Sequence, residues 1–184
     1  MKARLPKPKR QEELQVFLNE NPFATDEDLA QEFGCSIQTI RLDRLELGIP
    51  EVRERMKRVA ETNYSKVKSV TDTEIIGELI ELELGVKATS VLEVTPEMVA
   101  DKSHVCRGHH IFSQANMLAV ALIDAEIVLT GSARIRYRRP VYLKEKLVAT
   151  AVLARQRSNK HLVKVVSKVG AEEVFVGKFI VVSR

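Results

Sequence analysis

Polar side chains suited to contacting DNA are concentrated in one short stretch near the N-terminus. Gln38, Thr39, Arg41 and Arg44 bring an amide, a hydroxyl and two guanidinium groups into this stretch. Amide and guanidinium groups match the hydrogen-bonding edges of adenine and guanine, and hydroxyl and guanidinium groups also bond phosphates. A solvated helix face is the alternative interpretation of the same residues. The stretch is therefore a candidate DNA-contacting segment.

The residues around this stretch predict two short helices that would present it. Thr25 followed by Asp28 fits a capping box, and Gly34 suits the left-handed conformation that ends a helix. Ser36 then fits the cap of a second helix, whose apolar face we expect to consist of Ile37, Ile40, Leu42 and Leu45. Two helices joined by so short a turn predict a helix-turn-helix, in which the second helix enters the major groove.

A basic segment precedes these helices. Residues 1–10 contain five basic side chains, two prolines and no acid, which predicts a mobile basic arm. Within the arm, Lys7, Lys9 and Arg10 are candidate DNA contacts. A terminus that is simply solvated is the open alternative.

A connecting helix is predicted after Pro50, because proline is tolerated at a helix start. Over 51–70 the chain carries an intermittent apolar stripe of Val52, Met56, Val59 and Val67. This pattern predicts an amphipathic linker helix, which pairs with its twin or docks on the following domain. We therefore divide the chain into a helix-turn-helix domain at 1–50, a linker at 51–70 and a larger domain at 71–184.

The larger domain is predicted to consist of one buried helix and an antiparallel sheet. The stretch GHHIFSQANMLAVALID is apolar over most of a helical surface, so we expect it to be buried. Segments rich in β-branched residues lie on both sides of it, separated by turns that contain serine, asparagine or glycine. A sheet wrapped around one helix is the layout of a hot-dog domain. The predicted fold class of the whole chain is α+β.

Charge is distributed unevenly and indicates anionic partners. The formal net charge is +4, but residues 59–101 carry 3 basic and 9 acidic side chains and residues 102–184 carry 15 and 5. No apolar run is long enough for a membrane span, and the basic N-terminus lacks the apolar stretch of a secretory signal. Cys35 and Cys106 have no metal-ligand spacing, so we expect no metal site and reduced thiols in a cytoplasmic protein.

Three stretches in order carry a specific resemblance: SIQTIRLDRLELGIPEVRER, IIGELIELEL and RGHHIFSQANMLAVALID. Together they closely resemble the FapR family of bacterial transcriptional repressors, over essentially the whole chain. The resemblance implies a homodimer that represses fatty acid and phospholipid synthesis genes at an inverted-repeat operator. Malonyl-CoA or malonyl-acyl carrier protein, bound in the hot-dog domain, would release that operator. No cofactor besides this effector is implied.

The resemblance also implies an effector site in this sequence. Arg107, just before the central helix, would pair with the malonate carboxylate, and a guanidinium suits that role because it binds carboxylate bidentately. Gly108 would let acyl groups approach the backbone. Asn116 would donate to a thioester carbonyl or to pantetheine, and Leu129 would be an apolar pocket residue, although by itself it is typical of core.

An enzyme is the alternative class, because hot-dog domains often hydrolyse acyl-CoA thioesters. That chemistry usually requires a carboxylate near the central helix, and residues 108–123 contain no Asp or Glu. We therefore expect a regulator and not an enzyme.

Two further features of the larger domain have open roles. Arg134, Arg136 and Arg138 alternate along a predicted strand, and they could attract CoA phosphates, the carrier protein or DNA, or form a solvated face. Cys106, beside Arg107, is a candidate pocket-wall residue.

Overall fold

A computed structural model describes residues 5–70 and 76–184, and within them it contains five α-helices and six β-strands. The α+β class is confirmed. Residues 1–4 of the predicted basic arm, and residues 71–75 at the predicted start of the larger domain, lie outside the described residues. The chain divides into two compact units, Met1–Arg58 and Val59–Arg184. The boundaries at 50 and 70 stay predictions.

Unit 1 is a small helical unit. Its helices are α1 (Lys7–Glu20), α2 (Asp26–Phe33) and α3 (Ile37–Glu46), followed by the first part of α4 (Val52–Tyr64). Its buried apolar core consists of five side chains, Leu14, Leu18, Leu29, Phe33 and Ile40. Because so small a core buries little apolar surface, polar interactions between the helices contribute a larger share of the stability of unit 1.

Local capping interactions define the starts of α2 and α3. The Thr25 hydroxyl accepts the N–H of Asp28 at 3.2 Å, and the Asp28 carboxylate accepts the N–H of Thr25 at 2.9 Å. Gly34 ends α2 with a φ of 60°. Ser36 then caps α3 by accepting the N–H of Thr39 at 3.1 Å. The predicted capping box, glycine turn and serine cap are all confirmed.

The buried face of α3 differs from the predicted one. Ile40 is fully buried, but Leu42 and Leu45 are 52% and 72% exposed. In their place, the charged residues Asp43 and Arg44 are buried beside Ile40. The prediction was wrong because it assumed that apolar residues mark the interior, whereas these two charged residues are paired with opposite charges.

Two arginine–aspartate pairs join α3 to the other helices of unit 1. Arg44 binds Asp26 at the start of α2 through two hydrogen bonds, from Nε to Oδ1 at 2.7 Å and from Nη2 to Oδ2 at 2.8 Å. Arg10 of α1 donates from Nε to Oδ2 of Asp43 at 2.6 Å. Charge-assisted pairs with two parallel bonds fix orientation as well as distance. The pairs therefore set how α3 lies against α1 and α2.

The predicted mobile arm is wrong from residue 7 onward, because α1 already begins at Lys7. Pro6 is the N-cap residue of α1 and Pro8 lies in its first turn, where a missing N–H leaves no intrahelical bond unmade. Lys7 Nζ forms an exposed ion pair with Glu46 Oε1 at 2.7 Å. The two prolines thus start a helix instead of preventing one.

Helix α4 is shorter than the predicted linker helix, since it ends at Tyr64. Near its start, the buried Arg55 guanidinium donates to the carbonyl oxygens of Pro22 at 2.9 Å and Ala24 at 2.6 Å, all within unit 1. Near its end, Asn63 Nδ2 donates to the carbonyl of Leu79 at 3.0 Å within unit 2.

Unit 2 is an antiparallel sheet around one helix, as predicted. Helix α5 (Gly108–Ala121) is buried along most of its length. The six strands lie in the order β1-β2-β4-β5-β6-β3, and their bounds are Glu78–Glu83 for β1, Lys87–Glu93 for β2, Val128–Tyr137 for β3, Lys146–Arg157 for β4, Lys160–Val169 for β5 and Glu172–Ser183 for β6. A short 3-10 helix, Pro96–Met98, precedes α5. The core consists of α5 and the sheet face turned toward it.

Strand β3 is an edge strand whose side chains are almost all exposed. It pairs on one side with β6, and after Val128 each of its residues is exposed. Leu129, predicted to be an apolar pocket residue, is 61% exposed on this strand in a single chain. The alternation of residues along β3 does not predict this exposure, because an edge strand is covered only if another element packs on it.

We predict that Arg44→Ala destabilises α2 and α3. The substitution leaves Asp26 without its main partner, and charge-assisted bonds of this kind contribute about 2–3 kcal/mol. Hydrogen–deuterium exchange of the full chain should show faster exchange of the α3 amides. Arg41→Ala is the matched control, because Arg41 is 55% exposed and its Nε lies 3.4 Å from Asp26. Equal effects of the two variants would contradict a structural role for Arg44.

The same pair makes unit 1 sensitive to acid. The hydrogen bonds from Arg44 hold the pKa of Asp26 below its ordinary value. A depressed folded-state pKa means that the stabilisation is present at neutral pH and is lost as the pH falls through that pKa. Arg44→Ala should therefore flatten the loss of α3 protection between neutral and acidic pH.

Candidate DNA-binding surface and effector site

The exposed face of α3 retains some of the predicted DNA contacts. Gln38 and Arg41 are exposed on it, and Thr39 is half-buried, with its backbone N–H and hydroxyl both bonded to Ser36. Arg41 makes one long bond to Asp26, so its guanidinium keeps free donors. This face offers an amide and a guanidinium to an approaching partner.

Two predicted DNA contacts are instead interior residues. Arg10 and Arg44 are 7% and 3% exposed, and both guanidiniums bind aspartates. Their predicted exposure was wrong because their aspartate partners are distant in sequence and cannot be recognised from local spacing. Lys7 and Lys9 remain exposed at the start of α1.

Arg107 stands at the start of α5 as its N-cap residue. Its backbone N–H donates to Met98 O at 2.8 Å, and its exposed guanidinium donates from Nη1 to Glu97 O at 3.0 Å. The first N–H groups of a helix have no intrahelical acceptor, and the helix dipole favours an anion there. Arg107 thus places a cation beside backbone donors, an arrangement suited to a carboxylate.

Gly108 has a structural role in addition to the predicted effector contact, which stays a prediction. The hydroxyl of Tyr137 donates to Gly108 O at 2.7 Å, and a Cβ at position 108 would lie 3.0 Å from that hydroxyl oxygen. The missing side chain therefore admits the Tyr137 ring. The sequence pattern did not single out Tyr137, because its partner lies 29 residues away.

A cavity of about 400 Å³ lies at this end of α5. Its lining residues do not include Arg107, and they are Val105, Cys106, Gly108, Ile111, Tyr137, Arg138, Arg139, Pro140 and Val141. Cys106 is therefore a pocket-wall residue, as predicted, and burial raises the pKa of its thiol. A thiol that stays protonated is a poor nucleophile. Arg139, which the sequence pattern did not indicate, binds Glu145 at 3.0 Å and Glu172 at 2.7 Å.

Asn116 and Leu129 lie away from this cavity. Nine residues separate Asn116 from Arg107 in the sequence, which corresponds to roughly 13 Å along the helix axis. The Asn116 carbonyl oxygen Oδ1 accepts a bond from the Thr130 hydroxyl at 2.7 Å. Leu129 precedes Thr130 on β3 and is exposed. Of the four predicted effector residues, Gly108 lines the cavity at the start of α5, and Arg107, Asn116 and Leu129 do not.

The basic residues of β3 have different surroundings. Arg138 forms an ion pair with Glu173 at 2.9 Å, which fits a solvated strand face. Arg134 is directly opposite Lys178, and Arg136 is opposite Val176.

Neither a metal-binding cluster nor a membrane-spanning helix is found within residues 5–70 and 76–184. There, no three His, Cys, Asp or Glu side chains are grouped so that they could hold a metal ion. None of the described helices has the length and apolar character needed to traverse a bilayer.

Curated relatives match the whole chain. A protein named "Transcription factor FapR" from Thermoanaerobacter sp. (strain X514) is 53% identical over 183 residues, which cover 100% of this chain and 92% of the relative. One of the same name from Bacillus cereus (strain B4264) is 51% identical over 182 residues, covering 97% and 92%. No family model matches the chain.

Solved structures match the second unit. An uncharacterized protein from Pyrococcus horikoshii is 28% identical with a TM-score of 0.60, covering 64% of this chain and 91% of that one. The structural neighbours are hot-dog proteins, so the predicted hot-dog fold is confirmed.

We predict that Gly108→Ala destabilises unit 2 by displacing Tyr137. Its new Cβ would be 3.1 Å from the ring carbon Cζ, so the ring must move and its bond to Gly108 O weakens. We expect a loss of about 1–2 kcal/mol, measured by thermal unfolding of the full chain. Burial raises the pKa of Tyr137, so a displaced ring should also ionise at lower pH.

His109→Ala is the matched control, because this exposed neighbour on the same helical turn leaves the Tyr137 contact intact. An unchanged unfolding temperature in Gly108→Ala would show that the ring moves aside without cost.

Proposed function

This chain belongs to the FapR family of transcription factors, and we propose that it represses fatty acid and phospholipid synthesis genes under the control of malonyl-CoA or malonyl-acyl carrier protein. The match to FapR transcription factors over the whole chain carries this proposal. The exposed hydrogen-bond donors of α3 support DNA binding, and the cation at the start of α5 supports effector binding. We propose that the protein acts in the cytoplasm, where its operator is.

For DNA binding, we assign α3 to the major groove. Gln38 and Arg41 would contact base edges or phosphates, with Thr39 near the start of the helix. Lys7 and Lys9 would contact phosphates, since an exposed pair such as Lys7–Glu46 is weak and readily exchanged for another anion. Arg10 and Arg44 would act indirectly, by holding α3 in place.

The proposed homodimer would form through β3. A ten-residue edge strand with exposed apolar side chains needs a partner to cover it, and Leu129, Ile135 and Tyr137 are 61%, 37% and 44% exposed. A twofold dimer would present two α3 helices to half-sites of an inverted repeat about one helical turn apart.

For effector binding, Arg107 would exchange its bond to Glu97 O for the malonate carboxylate. The α5 N-terminus would add backbone donors, and Gly108, whose missing side chain admits the Tyr137 ring, would line the site. Asn116 and Leu129 would contact a further part of the effector next to β3. We propose that a second copy completes this site, because Leu129 faces solvent in one chain.

Release requires differential affinity. The effector must bind the arrangement that cannot hold the operator more tightly than the one that can, because equal affinities shift nothing. Moving the population from about 1:99 to 99:1 takes a roughly 10⁴-fold preference. We propose no thioesterase activity, since residues 108–123 carry no Asp or Glu and Asn116 is neutral.

We predict that Arg41→Ala weakens operator binding and reduces its salt dependence. If Arg41 contacts a phosphate, the slope of log K against log salt should fall by about 1. Fluorescence anisotropy with a promoter fragment of a fatty acid synthesis gene, at several salt concentrations, measures both. Lys102→Ala provides the control, because it removes an exposed cation of unit 2. If Arg41→Ala leaves the slope unchanged, Arg41 does not contact a phosphate.

We predict that Arg107→Ala leaves operator binding intact but blocks its release. Losing a charge-assisted bond of about 2 kcal/mol should raise the malonyl-CoA concentration for half-release at least about 30-fold. A gel shift titrated with malonyl-CoA measures this. Acetyl-CoA, which has no free carboxylate, and succinyl-CoA, whose carboxylate is one methylene farther from the thioester, should release the wild-type complex poorly. Release of the variant at wild-type malonyl-CoA concentrations would exclude Arg107 from the effector site.

A further inference from the structure

Helix α3 carries an apolar stripe on its exposed face. Leu42 and Leu45 are 52% and 72% exposed, and Ile37 at the start of the helix is 37% exposed. Leu42 and Leu45 are three residues apart, so their side chains are neighbours on the helix surface. They lie opposite the buried residues Ile40 and Asp43, which pack against the rest of unit 1.

This stripe does not contribute to the interior of unit 1. A single exposed leucine needs no explanation, but adjacent ones on a ten-residue helix form a surface that favours an apolar contact. Asp43 and Arg44 occupy buried positions on the same helix, whereas these leucines face outward. Burying the leucines would require rotating α3, which the two arginine–aspartate pairs oppose.

The stripe shares its face with the proposed DNA contacts. Leu42 is four residues beyond Gln38 and one beyond Arg41, so it lies one helical turn along the same exposed surface. The major groove presents one prominent apolar group, the C5 methyl of thymine. An amide such as that of Gln38 bonds adenine in the same groove. The arrangement therefore favours a half-site in which adenine and thymine are read by adjacent side chains.

We infer that Leu42, supported by Leu45, contacts thymine methyl groups in the operator and thereby contributes to its sequence specificity. This inference rests on the proposed DNA-binding function and adds specificity residues to it. A second copy is a less suitable occupant, because a twofold contact through this face would bring the Arg41 side chains of both copies together. Self-association is therefore a competing outcome of the test.

The test compares thymine with deoxyuridine, which differs by that one methyl group. Duplexes that bind the full-length protein are first selected from a random library, and each thymine of the selected duplex is then replaced singly by deoxyuridine. Fluorescence anisotropy gives the Kd of each duplex. One buried methyl corresponds to about a fourfold change in affinity, so we expect a loss of about fourfold at one or two positions of each half-site.

The same duplexes are then measured with Leu42→Ala. Because Leu42 is half exposed and alanine favours helices, the fold should be retained. The variant should bind thymine and deoxyuridine duplexes equally at the sensitive position. Val16→Ala is the matched control, since Val16 is 57% exposed on α1 and lies away from α3, and it should preserve the fourfold difference.

The possible failures are distinguishable. If no duplex is selected, both the proposed function and this inference are overturned. If duplexes are selected but no thymine replacement matters, or Leu42→Ala keeps the wild-type difference, only the inference is overturned. A change in oligomeric state by light scattering in Leu42→Ala, without a change in thymine discrimination, would assign the stripe to self-association and also overturn it.

Discussion

The ion pair between Arg44 and Asp26 is the interaction on which the DNA-facing part of the molecule depends. It joins the middle of α3 to the first turn of α2, while the Arg10–Asp43 pair joins α3 to α1. Only Ile40 of α3 belongs to the five buried apolar side chains of unit 1, and Asp43 and Arg44 are buried on the same helix. Bidentate bonds at fixed positions select one rotation, because a rotated helix would leave buried charges unpaired. The exposed face of α3 is a consequence of that selection.

Unit 2 depends on a different constraint, which is the burial of α5 by an antiparallel sheet. Every strand contributes buried residues to the core around this helix, and the strand order places β1 and β3 at the edges. Strand β3 follows α5 in the chain and ends at Tyr137, which bonds the first residue of α5. The start of the helix and the uncovered edge are therefore coupled through one side chain. A ligand at the start of α5 and a partner on β3 would each act on Tyr137.

Local rules allowed the elements to be predicted, whereas the interior of unit 1 and the edge of unit 2 required contacts between distant residues. Thr25, Gly34 and Ser36 act within a few residues of their own positions, and their roles were predicted correctly. Arg44 pairs with a residue 18 positions away, and Leu129 is exposed because of where β3 lies in the sheet. Apolar periodicity therefore assigned Leu42 and Leu45 to a buried face and the resemblance assigned Leu129 to a pocket, although all three side chains are exposed in a single chain.

Net charge is a poor guide to DNA binding in such a protein because pairing removes charges from the surface selectively. Residues 1–58 contain 11 basic and 11 acidic side chains, yet Asp26 and Asp43 are bound to arginines within the unit. The acids Glu12, Glu13, Glu20 and Glu32 line a separate groove between α1 and α2. This distribution leaves Gln38 and Arg41 on a face without an exposed acid between them. Recognition then depends on which side chains remain on that face, and the buried pairs determine this more than the total charge does.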